Sequence, residues 1–401
     1  MALLNIFLGL LNIVQIILIA YLLFGTIYIF VFSTAALFRL KRKSPKKEFS
    51  HSFAVLIPGY KEDAVIIEAA REASDQNYPD DFFDVIIIAD SFQPETISEL
   101  KKIAVKVVEV SFDISTKSKA LNKALDQFSE DAYDVALVLD ADNIMEKNFL
   151  MKLNDAFNAG CFAVQGHRIA KNTNTHFALL DAISEEINNN IFRKGHRILG
   201  LSSSLIGSGM AFRFSYFKEL MKNIKAIGGF DKEIELTMLR NGKKIEYLEN
   251  ALILDEKVQV SEVFVKQRRR WLSAQLHYSK YLPDAIYNLL KKGNIDFFDK
   301  SIQMVLPPRI ILLGIIPLFT IISLFVNPLP ITLIWVVVFL LLILSMLFAI
   351  PWKFYSFTTL SALTSLPKGF FLMIFSLLST RGANKKFIHT QHTASNIQTK
   401  T

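Results

Sequence analysis

Short apolar runs, rich in β-branched residues, recur through the middle of the chain at Phe53–Ile57, Val85–Ala89, Val105–Val110, Val135–Leu139 and Phe162–Gln165. Longer stretches with helical spacing lie between them, at Ala64–Ser74, Glu95–Ala104, Lys117–Phe128 and Glu146–Ala159. Strands that are apolar at nearly every position are covered on both faces, as in parallel sheets. Strands alternating with helices predict a doubly wound, Rossmann-like α/β domain with a mostly parallel sheet and right-handed crossovers. Ligands of such sheets bind outside the carboxyl ends of the strands, so the polar residues just after each strand are the candidate chemistry.

The two ends of the chain follow another pattern. Ile6–Phe38 is apolar and uncharged, longer than the roughly 20 residues a membrane-spanning helix needs. It reads as one overlong or tilted transmembrane helix; the alternative is a signal anchor with an extra interfacial turn. Ile310–Trp352 is a second uncharged run, broken by Asn327-Pro328-Leu329-Pro330, and predicts two helices over about Val305–Val326 and Ile331–Ile350. Phe354–Thr380 is apolar but dotted with Ser and Thr. If it crossed, the basic tail Arg381–Lys386 would lie outside, against the positive-inside rule, so interfacial or re-entrant helices are expected there. The reading is three spans with the N-terminus outside. The expected division is an N-terminal helix and basic flank (1–47), an α/β domain (48–280), a linker helix (281–304), two membrane helices (305–352) and an interfacial, basic tail region (353–401).

Charge sharpens this picture. The chain has 401 residues and a formal charge of +8, with 51% hydrophobic residues and 34 Phe. Six basic residues and no acid lie between Arg39 and Lys47, and six basic residues and no acid follow Arg309, whereas Glu48–Arg309 holds 33 basic and 37 acidic residues. The excess positive charge sits beside the apolar ends and not on the folded middle, which argues against a nucleic-acid binder. It places the middle and the tail on the cytoplasmic side of a bilayer, as in an integral protein of a bacterial inner (plasma) membrane. Cys161 is the only cysteine, so no intrachain disulfide can form, consistent with a reducing compartment.

Each strand is followed by residues with two readings. Pro58-Gly59-Tyr60-Lys61-Glu62-Asp63 offers a stacking ring and acids for a base or ribose, or is a plain junction with Asp63 as helix N-cap. Asp90 can accept hydrogen bonds from a nucleotide, or cap a loop. Lys117-Ser118-Lys119 opens a helix, where outward N–H groups and lysines suit an anion; the alternative is a solvated helix start. Asp140-Ala141-Asp142-Asn143 sets two carboxylates beside a buried strand end, where a hard divalent cation would relieve them; the alternative is capping of the next helix. Gly207-Ser208-Gly209 permits close backbone approach to a ligand, or is a turn. Asp231-Lys232-Glu233-Ile234-Glu235 begins a helix running to Arg240, with acids that suit the helix dipole or supply a general base. In Gln267-Arg268-Arg269-Arg270-Trp271, helical spacing puts Gln267, Arg270 and Trp271 on one face. That face offers an amide, a guanidinium for phosphate oxygens and a ring that stacks on sugars. The alternative, a basic helix on anionic lipid, accounts for Lys266, Arg268 and Arg269 but not for the Gln and the Trp.

The order Ile-Pro-x-Tyr-x-Glu, post-strand Asp, Lys-x-x-Ala-Leu-Asn, Asp-x-Asp, Gly-Ser-Gly and Gln-x-x-Arg-Trp resembles the family-2 inverting glycosyltransferases of GT-A fold. More narrowly it resembles the membrane-embedded cellulose, hyaluronan, chitin and poly-N-acetylglucosamine synthases, over about Phe53–Trp271. The resemblance implies a processive enzyme that adds sugar from a UDP-sugar to a growing polysaccharide and helps pass it across the membrane. The alternative is transfer of one sugar to a lipid-linked or oligosaccharide acceptor. It implies that Tyr60, Glu62 and Asp90 hold the nucleoside, that Lys117 and Lys119 meet the diphosphate, and that Asp140 and Asp142 surround UDP and its Mg²⁺ or Mn²⁺, with Asp142 as direct ligand. Gln267 and Arg270 would bind pyrophosphate, while Gly207, Ser208, Gly209 and Trp271 would line the acceptor site. The usual Glu-Asp at the base position is missing; aligning Ile234-Glu235-Leu236 with the family ending makes Glu233 the base, with Asp231 and Glu235 as rivals. Phe387-Ile388-His389-Thr390 resembles a gating loop, with Phe387 and Thr390 matching. Three spans are few for a channel, so either the interfacial helices contribute or a homo-oligomer or an export partner is expected.

Overall fold

The computed structural model describes residues 2–40, 49–226, 228–259 and 261–378. The helix α1 (Ala2–Ala35) is followed by β1 (Phe53–Tyr60), α2 (Ile66–Ser74), β2 (Phe83–Asp90), α3 (Pro94–Leu100), β3 (Lys106–Val110), α4 (Lys117–Leu125) and β4 (Val135–Val138). Next come β5 (Ile144–Met145), α5 (Phe149–Asn158), β6 (Ala163–Ala170), α6 (His176–Asn188), a π-helix (Asn189–Gly195) and α7 (His196–Ile198). Then follow β7 (Met210–Arg213), α8 (Phe214–Lys222), α9 (Phe230–Arg240), β8 (Ile245–Asp255), α10 (Ser261–Tyr278), α11 (Leu282–Lys292) and α12 (Ile295–Gln303). The last helices are α13 (Arg309–Val326), α14 (Leu329–Ala349), α15 (Phe357–Ala362) and α16 (Leu366–Leu378).

The eight strands form one sheet in the order β3-β2-β1-β4-β7-β6-β8-β5. The β3-β2-β1-β4 half is parallel throughout, as the alternating pattern predicts. Beyond β4 the sheet turns mixed: β7 runs antiparallel to both β4 and β6, β5 runs antiparallel to β8, and β6 and β8 are parallel. Along β1, Ala54 and Leu56 enter the core packed by α4, α8 and α9, while Phe53, Val55 and Ile57 enter the core packed by α2 and α5. Both faces are dry, which is why these strands read as unbroken apolar runs.

The overlong N-terminal run is one helix of 34 residues, about 50 Å at 1.5 Å per residue. A hydrocarbon core is only about 30 Å thick. The surplus is docked into protein: Tyr28 Oη donates to Asp299 Oδ1 of α12 at 2.6 Å, and the Phe32 ring stacks on His196 with centroids 3.6 Å apart. Gly195 closes the π-helix against the Phe32 carbonyl, where a Cβ would overlap the α1 backbone. The amide of Asn190 reaches the Ala349 carbonyl at 2.8 Å and ties the π-helix to the end of α14. Leu22, Ile29, Ile183, Ile191, Leu312, Trp335 and Leu342 share one core, so α6 and the π-helix pack directly on α1, α13 and α14.

Among the described residues, four segments could cross a membrane by length and composition: Ile13–Ala35, Arg309–Val326, Leu329–Ala349 and Phe357–Leu377. The fourth is one more than the three-span reading. It is two helices with a 3₁₀ turn at Leu363–Ser365 between them. Its packing differs from that of the other three. Phe370, Met373, Ile374 and Leu377 meet Leu272 of α10 and the first two turns of α13, and the Phe370 ring fills the space over Gly314.

Candidate active site

The carboxyl ends of β2, β1 and β4 lie side by side and bring the post-strand residues into one row. Tyr60 and Asp90 are register partners on β1 and β2. Asp90 is buried and accepts from the Ser91 hydroxyl at 3.0 Å. Glu62 is buried at the same edge. Lys61 and Ser91, next to each other across the two strands, both adopt left-handed backbone with φ of 55° and 60°. Two non-glycine residues held in this conformation are costly and cluster at functional sites. Asp63 is not the cap of α2, whose N-cap Val65 lacks a side-chain bond; its carboxylate accepts from the Gln93 amide at 2.9 Å.

Beyond β4 the chain turns through Asp140-Ala141-Asp142-Asn143. Neither Asp142 nor Asn143 caps the next helix, which starts later at Asn148. Instead the turn is fastened from behind. Asn143 Oδ1 and Ser208 Oγ accept from the Asp140 amide at 3.3 and 3.1 Å, and Ser208 donates to Asn143 Oδ1. Asn143 Nδ2 donates to Asp255 Oδ1 at 3.0 Å. Asp140, Asp142 and Asp255 bring carboxylate oxygens within 4.8 Å of one another. Three hard oxygen donors at that separation fit a divalent cation of the Mg²⁺ or Mn²⁺ kind. Asp255 was not legible as a site residue, yet it ends an apolar run as Asp90 and Asp140 do, and that shared pattern was the available signal. Its charge is balanced by Lys257 at 2.7 Å and Arg168 at 3.5 Å, which hold its carboxyl below the usual range against the cost of burial.

Lys117, at the start of α4, reaches across to Asp140 Oδ1 at 2.5 Å and to the Gly207 carbonyl at 2.8 Å. Lys119 departs from the expectation. It is exposed, and it donates to the Ile114 carbonyl at 2.9 Å, away from the Asp-x-Asp turn. One residue apart on a helix is 100° of rotation, so two lysines spaced i, i+2 diverge.

The Gly-Ser-Gly turn divides its roles. Gly207 (φ 85°) faces Asp231, whose Cγ lies 3.8 Å from the position of a glycine Cβ. Gly209 (φ 61°) does not front the site: a Cβ there would strike Ile253 of β8. Ser208 is fully buried beneath Asp140, so its hydroxyl secures the turn and lines nothing open.

The acids of α9 separate by helix phase. Asp231 faces Gly207, and it interacts electrostatically with Lys232, Glu235 and Lys117. Burial, followed by the charge of Glu235, pushes its carboxyl above the usual range against Lys232 and Lys117. Glu233, the residue favoured by alignment, points elsewhere: its carboxylate accepts from the Ala226 amide at 3.0 Å and closes the loop before α9. Glu235 is fully buried between Lys232 at 2.8 Å and Lys300 at 3.1 Å. Asp231 is therefore the acid of the three that looks into the site.

On α10, Arg270 lowers its affinity for protons through burial, offset by Asp140 and Asp231, so its guanidinium belongs to the same charge group as the strand-end acids. Gln267 Oε1 is buried with no hydrogen-bond partner among the described residues. Trp271 is 37% exposed, and the Arg268 guanidinium lies over its ring, 4.4 Å from the centroid. Arg268 does not meet solvent or lipid as a surface cation: it is buried and paired with Asp181 of α6 at 2.5 Å. Phe387 and Thr390 lie outside the described residues.

Comparison with known proteins matches this arrangement to one family. Residues 51–274 fit the model of the family described as glycosyltransferase-like family 2. A curated relative, the probable glycosyltransferase YdaM of Bacillus subtilis (strain 168), is 26% identical over 233 residues, 54% of each chain. The chain thus spans about half the length of that relative. Among solved structures, the mannosyltransferase PcManGT from Pyrobaculum calidifontis, in complex with GDP-Man and Mn²⁺, superposes with a TM-score of 0.55 at 14% identity, covering 92% of this chain and 99% of that one. TarS 1-349 of S. aureus superposes more loosely, with a TM-score of 0.42 at 15% identity over 83% of this chain and 90% of that one. The sheet is the mostly parallel, Rossmann-like GT-A sheet, and because the family model covers more than half of the sequence, the chain belongs to glycosyltransferase family 2.

Proposed function

We propose that this protein is an inverting glycosyltransferase that takes a sugar from a nucleoside-diphosphate sugar, in first place a UDP-sugar, at a cytoplasmic membrane surface. The observation that carries the reading is the convergence of Lys117, Asp140, Asp231 and Arg270 on one edge of the sheet. Cations for a diphosphate, strand-end acids and a carboxylate of raised proton affinity are the groups such a transfer requires. Tyr60, Glu62 and Asp90 take the nucleoside, and Lys117 and Arg270 the diphosphate. Asp140 and Asp142, with Asp255 beside them, would hold Mg²⁺ or Mn²⁺. That ion supplies electrostatic stabilisation of the departing diphosphate. PcManGT, which shares the fold, was solved with a nucleotide sugar and Mn²⁺.

In this reading Asp231 accepts the proton of the acceptor hydroxyl. The hydroxyl oxygen attacks the anomeric carbon from the side opposite the diphosphate, the glycosidic bond forms, and the bond to the diphosphate oxygen breaks with inversion. Trp271 offers its exposed ring to the acceptor sugar. The acceptor is the end of a growing polysaccharide, and α1, α13 and α14 span the bilayer beside it. The segment Phe357–Leu377 lies along the inner surface: α15 packs on α6, and α16 meets α10, which is too charged for lipid, and only the first two turns of α13. Incubation of the full-length protein with a panel of labelled UDP- and GDP-sugars tests the reading. Metal-dependent release of UDP with a polymeric product supports it. A product carrying a single added sugar overturns the processive part, and no release from any nucleotide sugar overturns the whole.

A further inference from the structure

A chain of buried polar contacts runs from α1 to α9 that the proposed transfer does not use. Glu235 Oε1 meets Lys300 Nζ at 3.1 Å, with neither side chain more than 1% exposed. Lys300 Nζ also donates to Ser204 Oγ at 2.7 Å and to Gln303 Oε1 at 3.2 Å. Gln303 Nε2 in turn donates to Asp299 Oδ2 and to Tyr28 Oη, both at 3.0 Å. On the other side of Glu235, Lys232 Nζ bonds Glu235 Oε2 at 2.8 Å and the Leu205 carbonyl at 2.8 Å, and it lies 4.0 Å from Asp231 Oδ2.

A fully buried ion pair is a poor source of stability, because an apolar pair of similar volume often serves as well. What it supplies is a directed contact. Lys300 grips both supports of Asp231 at once. One is α9, through Glu235 one turn further along. The other is the irregular segment leading into Gly207, through Ser204. Lys300 and Tyr28 both lie outside residues 51–274, the part that matches the family. Resting on the reading of Asp231 as the base, we propose that Lys300 is a positioning residue for Asp231, holding the first turn of α9 against the Ser204–Gly207 segment.

The test uses the full-length protein and four variants: Asp231→Asn, Lys300→Arg, Lys300→Met, and the neutral pair Lys300→Met with Glu235→Gln. For each, kcat, donor KM and the melting temperature are measured. Because the neutral pair removes both fully buried charges together and leaves Lys232, 26% exposed, to water and Asp231, it is expected to melt within a few degrees of the parent and to keep donor KM within about twofold. Its kcat is expected to fall at least tenfold, while Lys300→Arg, which keeps the charge and the contact, retains more activity than Lys300→Met. Parental kcat in the neutral pair, with Asp231→Asn inactive, overturns the role of Lys300 and leaves the base standing. Parental kcat in Asp231→Asn overturns both. A neutral pair that loses donor binding in step with kcat marks general disruption and also overturns the proposal.

Discussion

Two ion pairs near the sheet edge invite comparison. Lys117–Asp140 is open, with side chains 20% and 35% exposed; Glu235–Lys300 is sealed. Both join a lysine to a carboxylate at hydrogen-bonding distance. The open pair can trade its partner for a ligand, since water already reaches it and the exchange leaves no stranded charge. The sealed pair cannot, since water reaches neither side chain and Lys300 has Glu235 as its one ion-pair partner among the described residues, while Glu235 would keep only Lys232. Ligand chemistry therefore belongs to the open edge, and geometry to the sealed interior. The difference is one of solvent access and not of residue type.

The comparison can be broken in four ways, taken from the largest expected effect down. Asp231→Asn should lower kcat by about 10²–10⁴-fold, the range for loss of a general base, while Glu233→Gln should leave kcat within a few-fold, since that carboxylate serves the Ala226 amide. Kinetic assays on the two variants decide between the acids. Asp142→Asn should cost several kcal/mol of transition-state stabilisation, on the order of 10²–10³ in kcat, without lowering the melting temperature. A lowered melting temperature there would make Asp142, which is buried, a structural acid like Glu235. Lys300→Met alone should do the reverse in first place, destabilising the fold by about 1–3 kcal/mol in denaturant titrations because the buried Glu235 is left with Lys232 alone. The mildest is a pH effect. Asp231 is held above its ordinary 3.8, by burial first and then by Glu235. It must be ionised to accept a proton, so kcat/KM should fall as pH drops through that raised value, and the acid limb should lie above 3.8. The sign for stability is opposite: a carboxyl that binds its proton more tightly when folded favours the fold at low pH, and that contribution fades as pH rises through the raised value. An acid limb at or below 3.8 would remove Asp231 from the role.

The parallel half of the sheet was legible because each strand is dry on both faces and is followed by a helix of clear period. The mixed half was not. β5 has two residues and β7 four, too few to show a period, and β8 is interrupted at Glu249 and Asn250 where its pairing with β6 shifts between Gly166 and His167. Near the carboxyl ends of the strands, Tyr60, Asp90 and Asp140 could be placed from sequence, because position in the sheet fixes them. On helices the phase decides: Glu233 and Asp231, and Lys119 and Lys117, stand two positions apart, about 200° of rotation, and sequence spacing alone does not say which member turns toward the strand ends. Lys300, Asn143 and Asp255 contribute through contacts across the chain, and no local pattern announces such contacts.

The length of α1 has a mechanical consequence. It is a single unbroken helix from Ala2 to Ala35, clamped near its carboxyl end by Phe32, Tyr28 and the Gly195 contact. A rod of about 50 Å packed over its carboxyl half, from Leu18 to Phe32, can act as a lever. Tilting of its amino-terminal part would load that packed half, where Tyr28 is joined through Gln303 and Lys300 to the helix that carries Asp231. The angle at which the arm stands is thereby a coordinate of the catalytic edge itself.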